Sequence, residues 1–459
     1  MKTLFITSFH VLISRNILST DAFQGLARDP EIRIVLFVPR KKLEYFSRAF
    51  GRPNVIVEGV DTKLRKPDLI LRKLSLAALT SRTVWIKHRA EFAATLRRGR
   101  YLVKLGLERL LAGRSFARWA LRVLDRFLAP HSSFDAYLER YRPSLVFSTD
   151  IQNEFDLALA RGSCHHGIPV VGMVRSWDNL TTKGVLRLIP DVLAVNTEIV
   201  KAEAMRFNAV PAAKIRVVGI PHYDGYESAP PTPRENFFRS IGLDPQKRLV
   251  LVAPIGDRYI CEFRKNCRND ADRYILETLI AAPARGELPQ DLQLLVRLPP
   301  ADVVNLDGFR PPSNMVIEQP GVGDPAGHIK EQELSPEDDR HLRDSLTHAD
   351  LVITGPSTMA IDAALFDKPI VIPNFEPVER PYFASLSRFY DYDHFRPIIE
   401  SGGARVARSP DELVTAVRAY LKDPGADRAR RKRIVEEQVW RTDGKSSERL
   451  LQVLYEYLQ

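Results

Sequence analysis

Residues 171–184, VGMVRSWDNLTTKG, join an apolar run to a tryptophan, an aspartate and an asparagine. A carboxylate just past the end of a buried run suits the removal of a proton from an acceptor hydroxyl, so Asp178 is a candidate general base. Asn179 would orient that carboxylate, Trp177 would flank it, and Lys183 beside Gly184 would approach an anionic group on the acceptor. Two other residues stand in similar places: His10 after the first apolar run, and Asp150 in FSTD. An unperturbed imidazole titrates near neutral pH, which makes His10 a competing base; it reads equally as a loop residue capping a helix.

A second set of residues suits a phosphate. HADLVITGPSTMAIDAALFDKPIV (348–371) predicts a strand, a turn at Gly355 and Pro356, and a helix capped by Ser357 or Thr358. A helix start offers unpaired N–H groups and a positive dipole end. Gly355 would let backbone approach a ligand closely. Asp362, one turn deeper on the face of Thr358, would accept from a ribose or support the loop. In APIGDRY (253–259), Gly256 supplies a tight turn and Arg258 a planar fork for phosphate oxygens. Arg297 in VRLPP lies on an otherwise apolar strand and needs an anionic partner or an exit to solvent. All three stretches close a strand, which points to one diphosphate site. Taken singly, each reads equally as a capped helix or an ordinary turn. No HExxH, GxSxG or Walker pattern occurs, which argues against metalloprotease, hydrolase-elbow and P-loop chemistry.

The elements that must carry these residues form an α/β rhythm. Short apolar runs at 4–9, 32–39, 54–60, 144–150, 168–174, 191–197 and 214–221 alternate with helical stretches. After SAPPTPREN (228–236) the rhythm restarts at 248–254, 292–299, 314–320, 349–355 and 368–374. Parallel sheets with helices on both faces follow from that order. The expectation is two doubly wound, Rossmann-like domains facing a cleft, with ligands outside the carboxyl ends of the strands. The divisions read as 1–228, a linker at 229–236, a donor domain at 237–430, and a helix at 431–459 crossing back to the first domain.

The chain has 459 residues and a formal charge of +10. Much of that excess is local. Between Lys63 and Arg126 stand 17 Lys/Arg against four acids, Asp68, Glu91, Glu108 and Asp125. Residues 102–129 interleave Leu, Phe and Trp119 with Arg at helical spacing. A basic amphipathic helix of this kind can rest on anionic lipid, so residues 63–130 are an expected membrane-docking insertion. The other reading is a core-facing helix with a solvated basic face. No nucleic-acid motif accompanies the charge, and nucleic acid is not an expected partner. No apolar run approaches the roughly 18 residues of a membrane span, and residues 1–6 enter a strand pattern without a signal-peptide core. Three cysteines, Cys164, Cys261 and Cys267, fit a reducing compartment and read as thiols rather than a metal site.

In this order, the stretches resemble the two-domain GT-B transferases that build cell-surface polymers, above all the CDP-glycerol glycerophosphotransferase (teichoic-acid polymerase) family. The likeness runs over roughly residues 140–455, through SWDNLTTKG, VVGIPHYDGY, LVAPIGDRY, LLVRLPP, the stretch at 348–371, FYDYDHFRP (389–397) and TDGKSSERL (442–450). The family places a histidine after the first motif's tryptophan, where this chain has Asp178. Its Lys-x-His-Pro is here Arg297-Leu298-Pro299-Pro300, and its Asp-Tyr-Ser-Ser loop is here Gly355-Pro356-Ser357-Thr358. The departures favour a nucleotide diphosphate-sugar as donor, with Asp178 in the histidine's place and no metal or other cofactor required. The resemblance also implies that Asp443–Ser447 lie near the donor, with Lys445 touching phosphate; Asp443 or Ser446 reads equally as a helix cap. The expected protein is a glycosyltransferase on the inner face of the plasma membrane, acting on a lipid-linked or glycan acceptor. A glycerophosphotransferase, a sugar-nucleotide 2-epimerase and a non-catalytic glycan- or membrane-binding protein are the alternatives.

Overall fold

The structure, a computed structural model, describes residues 1–128, 133–227, 230–257, 261–264, 267, 269–300, 302–321 and 332–458. Positions 129–130 of the expected basic insertion and 229 of the expected linker fall outside them. Two compact units form: Met1–Trp85, Arg98–Ser228 and Val439–Gln459 in the first, Ile86–Arg97 and Ala229–Gln438 in the second.

The first unit is built on β1 (Lys2–Thr7), β2 (Ile32–Pro39), β3 (Val55–Val60), β4 (Leu145–Ser148), β5 (Val170–Met173), β6 (Val192–Val195) and β7 (Ile215–Val217). They pair in parallel in the order β3-β2-β1-β4-β5-β6-β7. Side chains alternate across a strand, and here both faces are covered. Leu4 and Ile6 join one core with Leu36, Phe147 and Leu450 of the last helix. Phe5 joins the other with Phe37, Phe134 and Val146. Burial on both faces is why these strands read as continuous apolar runs.

The second unit repeats the plan with β8 (Arg248–Ala253), β9 (Leu292–Arg297), β10 (Met315–Glu318), β11 (Leu351–Thr354), β12 (Ile370–Pro373) and β13 (Arg405–Ala407). Its parallel order is β10-β9-β8-β11-β12-β13. In each sheet the winding reverses at the first strand, between β1 and β4 and between β8 and β11, which is where ligands bind in such sheets. The protein thus has two doubly wound Rossmann-like sheets of the GT-B type. The sequence reading missed β13, whose RVA is too short to carry a pattern.

Several segments depart from expectation. Ile86–Arg97 groups with the second unit, where Lys87 pairs with Glu262 at 3.3 Å. Residues 431–438 also stay in the second unit; fully buried Arg431 donates to Asp367 Oδ1 and to the Pro424 carbonyl. Cys261 and Cys267, read as thiols, form a disulfide, their Cα atoms 5.4 Å apart, within the range a disulfide spans. Cys164 is free and exposed.

The basic region is helical but not one helix. It comprises Lys66–Ala77, Arg82–Thr95, Arg98–Leu111 and Ser115–Leu128. The expected helix at 102–129 breaks at Gly113, whose φ of +71° suits glycine and whose N–H donates to the Ala78 carbonyl. A buried ion chain anchors two of these helices. Arg161 donates to Asp68 Oδ1 (3.1 Å) and Asp125 Oδ2 (2.9 Å). Arg187 donates to Asp125 Oδ1 (3.1 Å) and to Glu154. Arg122 is also structural, donating to the carbonyls of Leu186 and Asn208. Replacing Asp125 by alanine takes from each of two buried guanidinium groups one of its two carboxylate partners. The expected loss is about 3–5 kcal/mol, measured by denaturant unfolding; a loss below about 1 kcal/mol would remove the ion chain as the anchor.

Candidate active site

The three candidate bases of the first unit converge. His10 follows β1, Asp150 follows β4, and Asp178 follows β5, so the parallel sheet brings all three to one carboxyl edge. Asp150 is the centre of the group. Its buried Oδ2 accepts from Arg175 Nε and Lys183 Nζ, each at 2.9 Å, and its Oδ1 accepts from Asn179 Nδ2 at 3.2 Å. Burial alone would raise the pKa of this carboxyl; the charges of Lys183 and Arg175 and their hydrogen bonds outweigh it and hold the group below the ordinary carboxylate value. A carboxylate so engaged is a poor proton acceptor, which weakens the reading of Asp150 as base. Asn179, expected to orient Asp178, is committed to Asp150 instead.

Asp178 is half-buried and opens the short helix Asn179–Thr182. Thr182 Oγ1 donates to its Oδ2 at 3.2 Å and to its carbonyl at 2.8 Å. Trp177 is half-buried beside it. His10 feels Arg175, Asp150, Lys183 and Asp178. Burial is the largest of several effects that bring its pKa down to about 3. Its Nδ1 accepts from the Leu12 N–H at 3.2 Å.

Beneath this group lies Asp156, wholly enclosed. Its Oδ1 accepts from Ser148 Oγ (3.1 Å), the Asp150 N–H (3.1 Å) and Thr7 Oγ1. Burial, and then the charge of Asp150, push its pKa up to about 7.

The second unit places its expected phosphate ligands differently. The Gly256 N–H, at φ +83°, donates to Asp272 Oδ2 (2.9 Å), and the Ile255 N–H donates to Asp272 Oδ1 (2.7 Å). Asp272 is buried, which raises its pKa to about 6 despite these bonds. The protein's own carboxylate therefore takes the N–H of Gly256, the residue read from sequence as a tight turn at the phosphate site. Gly355 is small for a packing reason: a Cβ there would lie 2.2 Å from Ile255 Cγ1. Pro356 is buried, and Ser357 Oγ accepts the Met359 N–H at 3.3 Å. Thr358 precedes the helix Met359–Leu365 and makes no side-chain cap. Asp362 is buried inside that helix, away from solvent. Arg297 has the anionic partner its burial required: it donates to Glu318 Oε1 (2.6 Å) and to the Asp338 carbonyl (3.2 Å). Arg258 lies outside the described residues.

At the last helix, Ser446–Tyr457, the N-terminal donors are likewise taken. Asp224 accepts the N–H groups of Ser446 (3.1 Å) and Ser447 (2.7 Å). This cap comes from neither Asp443 nor Ser446. Lys445 is exposed in the first unit, and its N–H donates to Asp443 Oδ1. Arg175, Asp156, Asp272 and Asp224 were assigned no role from sequence. Only Arg175 left a signal, as a cation between an apolar strand and Trp177. Among the described residues no group of three or more His, Cys, Asp or Glu is placed to hold a metal.

The titration of Asp156 has a definite sign. A carboxyl whose folded pKa is raised contributes stability that is fully present below its unfolded value near 4 and is lost as pH climbs to about 7. Asp156→Asn keeps an acceptor for the three donors and cannot ionise. The melting temperature of the variant relative to wild type is expected to be higher at pH 8 than at pH 5. An equal difference at both pH values would show that Asp156 ionises normally.

A sequence profile of the CDP-Glycerol:Poly(glycerophosphate) glycerophosphotransferase family matches residues 189–456, more than half of the chain. No curated protein sequence matches it. Among solved structures, the Staphylococcus aureus MnaA–UDP complex superposes with a TM-score of 0.54 at 12% identity, over 100% of this chain and 97% of that one. The Neisseria meningitidis UDP-GlcNAc 2-epimerase bound to UDP-GlcNAc gives 0.51 at 11%, over 99% and 100%. The glycotransferase of kitacinnamycin gives 0.51 at 13%, over 100% and 99%. At these identities the likeness establishes the fold. The profile goes further: this chain belongs to the CDP-glycerol:poly(glycerophosphate) glycerophosphotransferase family, a family of transferases.

Proposed function

We propose that the protein is a glycosyltransferase that moves a sugar from a nucleotide diphosphate-sugar to a hydroxyl of a lipid-linked or glycan acceptor, with Asp178 as general base and no metal in the step. The observation that carries the reading is the gathering of Asp178, His10, Asp150, Arg175 and Lys183 at the carboxyl edge of β1, β4 and β5. Asp178 takes the proton of the acceptor hydroxyl. The acceptor oxygen bonds to the anomeric carbon, and the bond from that carbon to the diphosphate breaks, its electron pair leaving with the nucleotide. The second unit holds the donor. The chain's solved neighbours include proteins bound to UDP and UDP-GlcNAc, which supports a nucleotide-sugar as donor.

Family membership favours a second reading, transfer of glycerophosphate from a CDP-alcohol. Against it stand Asp178 and Arg297-Leu298-Pro299-Pro300, where that family carries histidines. A thermal-shift panel of UDP, GDP, dTDP, CDP and CMP separates the two, since ligands that bind only the folded state raise its stability. A selective UDP, GDP or dTDP shift is expected; a selective CDP or CMP shift selects the second reading. Asp178→Asn is expected to keep the nucleotide shift and lose transfer by about 100-fold or more. Unchanged turnover in that variant removes Asp178 as base.

The acceptor's lipid links the site to the basic region. Helix Arg98–Leu111 buries none of its residues, and Leu102, Val103 and Leu110 are exposed. On helix Ser115–Leu128, Ala117 and Leu121 face inward while Phe116, Trp119 and Phe127 stand in solvent. Apolar side chains outside, flanked by Arg and Lys, suit an anionic membrane surface. Among the described residues no helix is long and apolar enough to cross a membrane. The protein is expected to co-sediment with vesicles containing anionic lipid at low salt and to lose that binding when Phe116, Trp119 and Phe127 become serine. Equal binding to neutral vesicles, or none to either, would overturn the docking surface.

A further inference from the structure

We infer that His10 is a fixed hydrogen-bond donor to the acceptor and not the group that removes its proton. The inference rests on the reading that transfer occurs at the carboxyl edge of β1, β4 and β5. It names a second contact to the acceptor beside Asp178.

The geometry starts at the backbone. The Leu12 N–H points at His10 Nδ1 from 3.2 Å, so Nδ1 is an acceptor. A neutral imidazole that accepts at Nδ1 carries its proton on Nε2. Among the described residues no acceptor is bonded to Nε2. To act as a base, Nε2 would first have to lose that proton to Nδ1, which would set an N–H against the Leu12 N–H. The alternative is to take a second proton, and the surroundings oppose it. The ring is largely enclosed, and Arg175 and Lys183 add positive charge to that side. Of the two carboxylates in range, Asp150 is already shared between those same cations. Asp178 is the remaining acid acting on the ring. The imidazole therefore stays neutral, and its tautomer is fixed.

A neutral Nε2–H beside a carboxylate base gives two-point recognition. Asp178 meets the reacting hydroxyl; Nε2–H meets a second oxygen of the same acceptor. That suits an acceptor with oxygens on neighbouring carbons, as sugars and glycerol-type polyols have. During transfer the proton of the reacting hydroxyl passes to Asp178, and the proton on His10 stays where it is. His10 then sets the angle of attack, and its loss should reach both acceptor KM and kcat while leaving nucleotide affinity alone.

Nitrogen-15 correlation spectra of the labelled full-length protein test the tautomer without relying on activity, the His10 signal being identified by its absence in His10→Gln. The expected pattern is an Nε2–H tautomer unchanged between pH 5 and pH 8. Kinetics give the second arm. His10→Ala is expected to lower kcat/KM for the acceptor about 10-fold, with the nucleotide thermal shift and the acid limb of the pH profile unmoved. His10→Gln, which keeps an N–H donor, is expected to stay within about threefold of wild type. A His10 midpoint between pH 5 and 8, a proton on Nδ1, or a His10→Gln variant as impaired as His10→Ala would overturn the inference. A wild-type protein that transfers nothing from any nucleotide-activated donor overturns the transferase reading itself. Normal transfer with a titrating His10 overturns this inference alone.

Discussion

A carboxylate sealed from water keeps its charge only if cations are brought to it, and Asp150 sets that condition for the first unit. Arg175 and Lys183 both reach its Oδ2, and Asn179 reaches its Oδ1. Those three residues span the chain from the end of β5 to the turn at Gly184. Holding them fixes the short helix Asn179–Thr182 and with it Asp178. The same cations disfavour a proton on His10. Buried ion pairs add little net stability, but breaking one is costly, so they specify arrangement more than they strengthen it. The chain Asp68–Arg161–Asp125–Arg187–Glu154 does the same for the basic helices.

The two units share a second device. In each, a carboxylate in the first turn of the helix after a strand reaches back to the loop between them. Asp156 accepts the Asp150 N–H, and Asp272 accepts those of Ile255 and Gly256. Asp224 treats the start of the last helix in the same way. In a dinucleotide-binding turn such N–H groups point at phosphate. Here the protein's own carboxylates accept from them. Enclosure raises the pKa of both Asp156 and Asp272, the expected consequence of burying an acid whose partners are neutral N–H and O–H groups.

Those internal partners explain what the sequence revealed and what it hid. Strands buried on both faces announce themselves as apolar runs, so twelve of the thirteen were legible and only Arg405–Ala407 was too short. The carboxyl-edge positions of His10, Asp150 and Asp178 followed from strand order alone. Partnerships did not. Asp156 meets Thr7 across 149 positions and Asp224 meets Ser447 across 223, and no local spacing encodes such pairs. Gly355 was visible as a required glycine, and the fold adds a packing reason, since a Cβ there would meet Ile255. Arg297 was visible as a buried cation needing an anion, and Glu318 on the neighbouring strand supplies it. A motif reading counts donors and charges; only the fold says which are already spent.

Formal charge at the first unit's edge comes out even, and that balance depends on His10. Arg175 and Lys183 supply two positive charges, Asp150 and Asp178 two negative, and a neutral imidazole none. A protonated His10 would add a third cation and draw Asp178 toward the ring, away from an acceptor hydroxyl. In the transfer proposed above, a neutral ring would leave Asp178 to take a proton without a competing one nearby, and the edge would pass from balanced to one net positive charge as negative charge leaves with the diphosphate. Histidine in the family's first motif would start from a neutral base and end as a cation; aspartate starts as an anion and ends neutral. Both change the local charge by one unit in the same direction. The pair of cations around Asp150 holds its carboxyl below the ordinary range and, after burial, disfavours a proton on the imidazole.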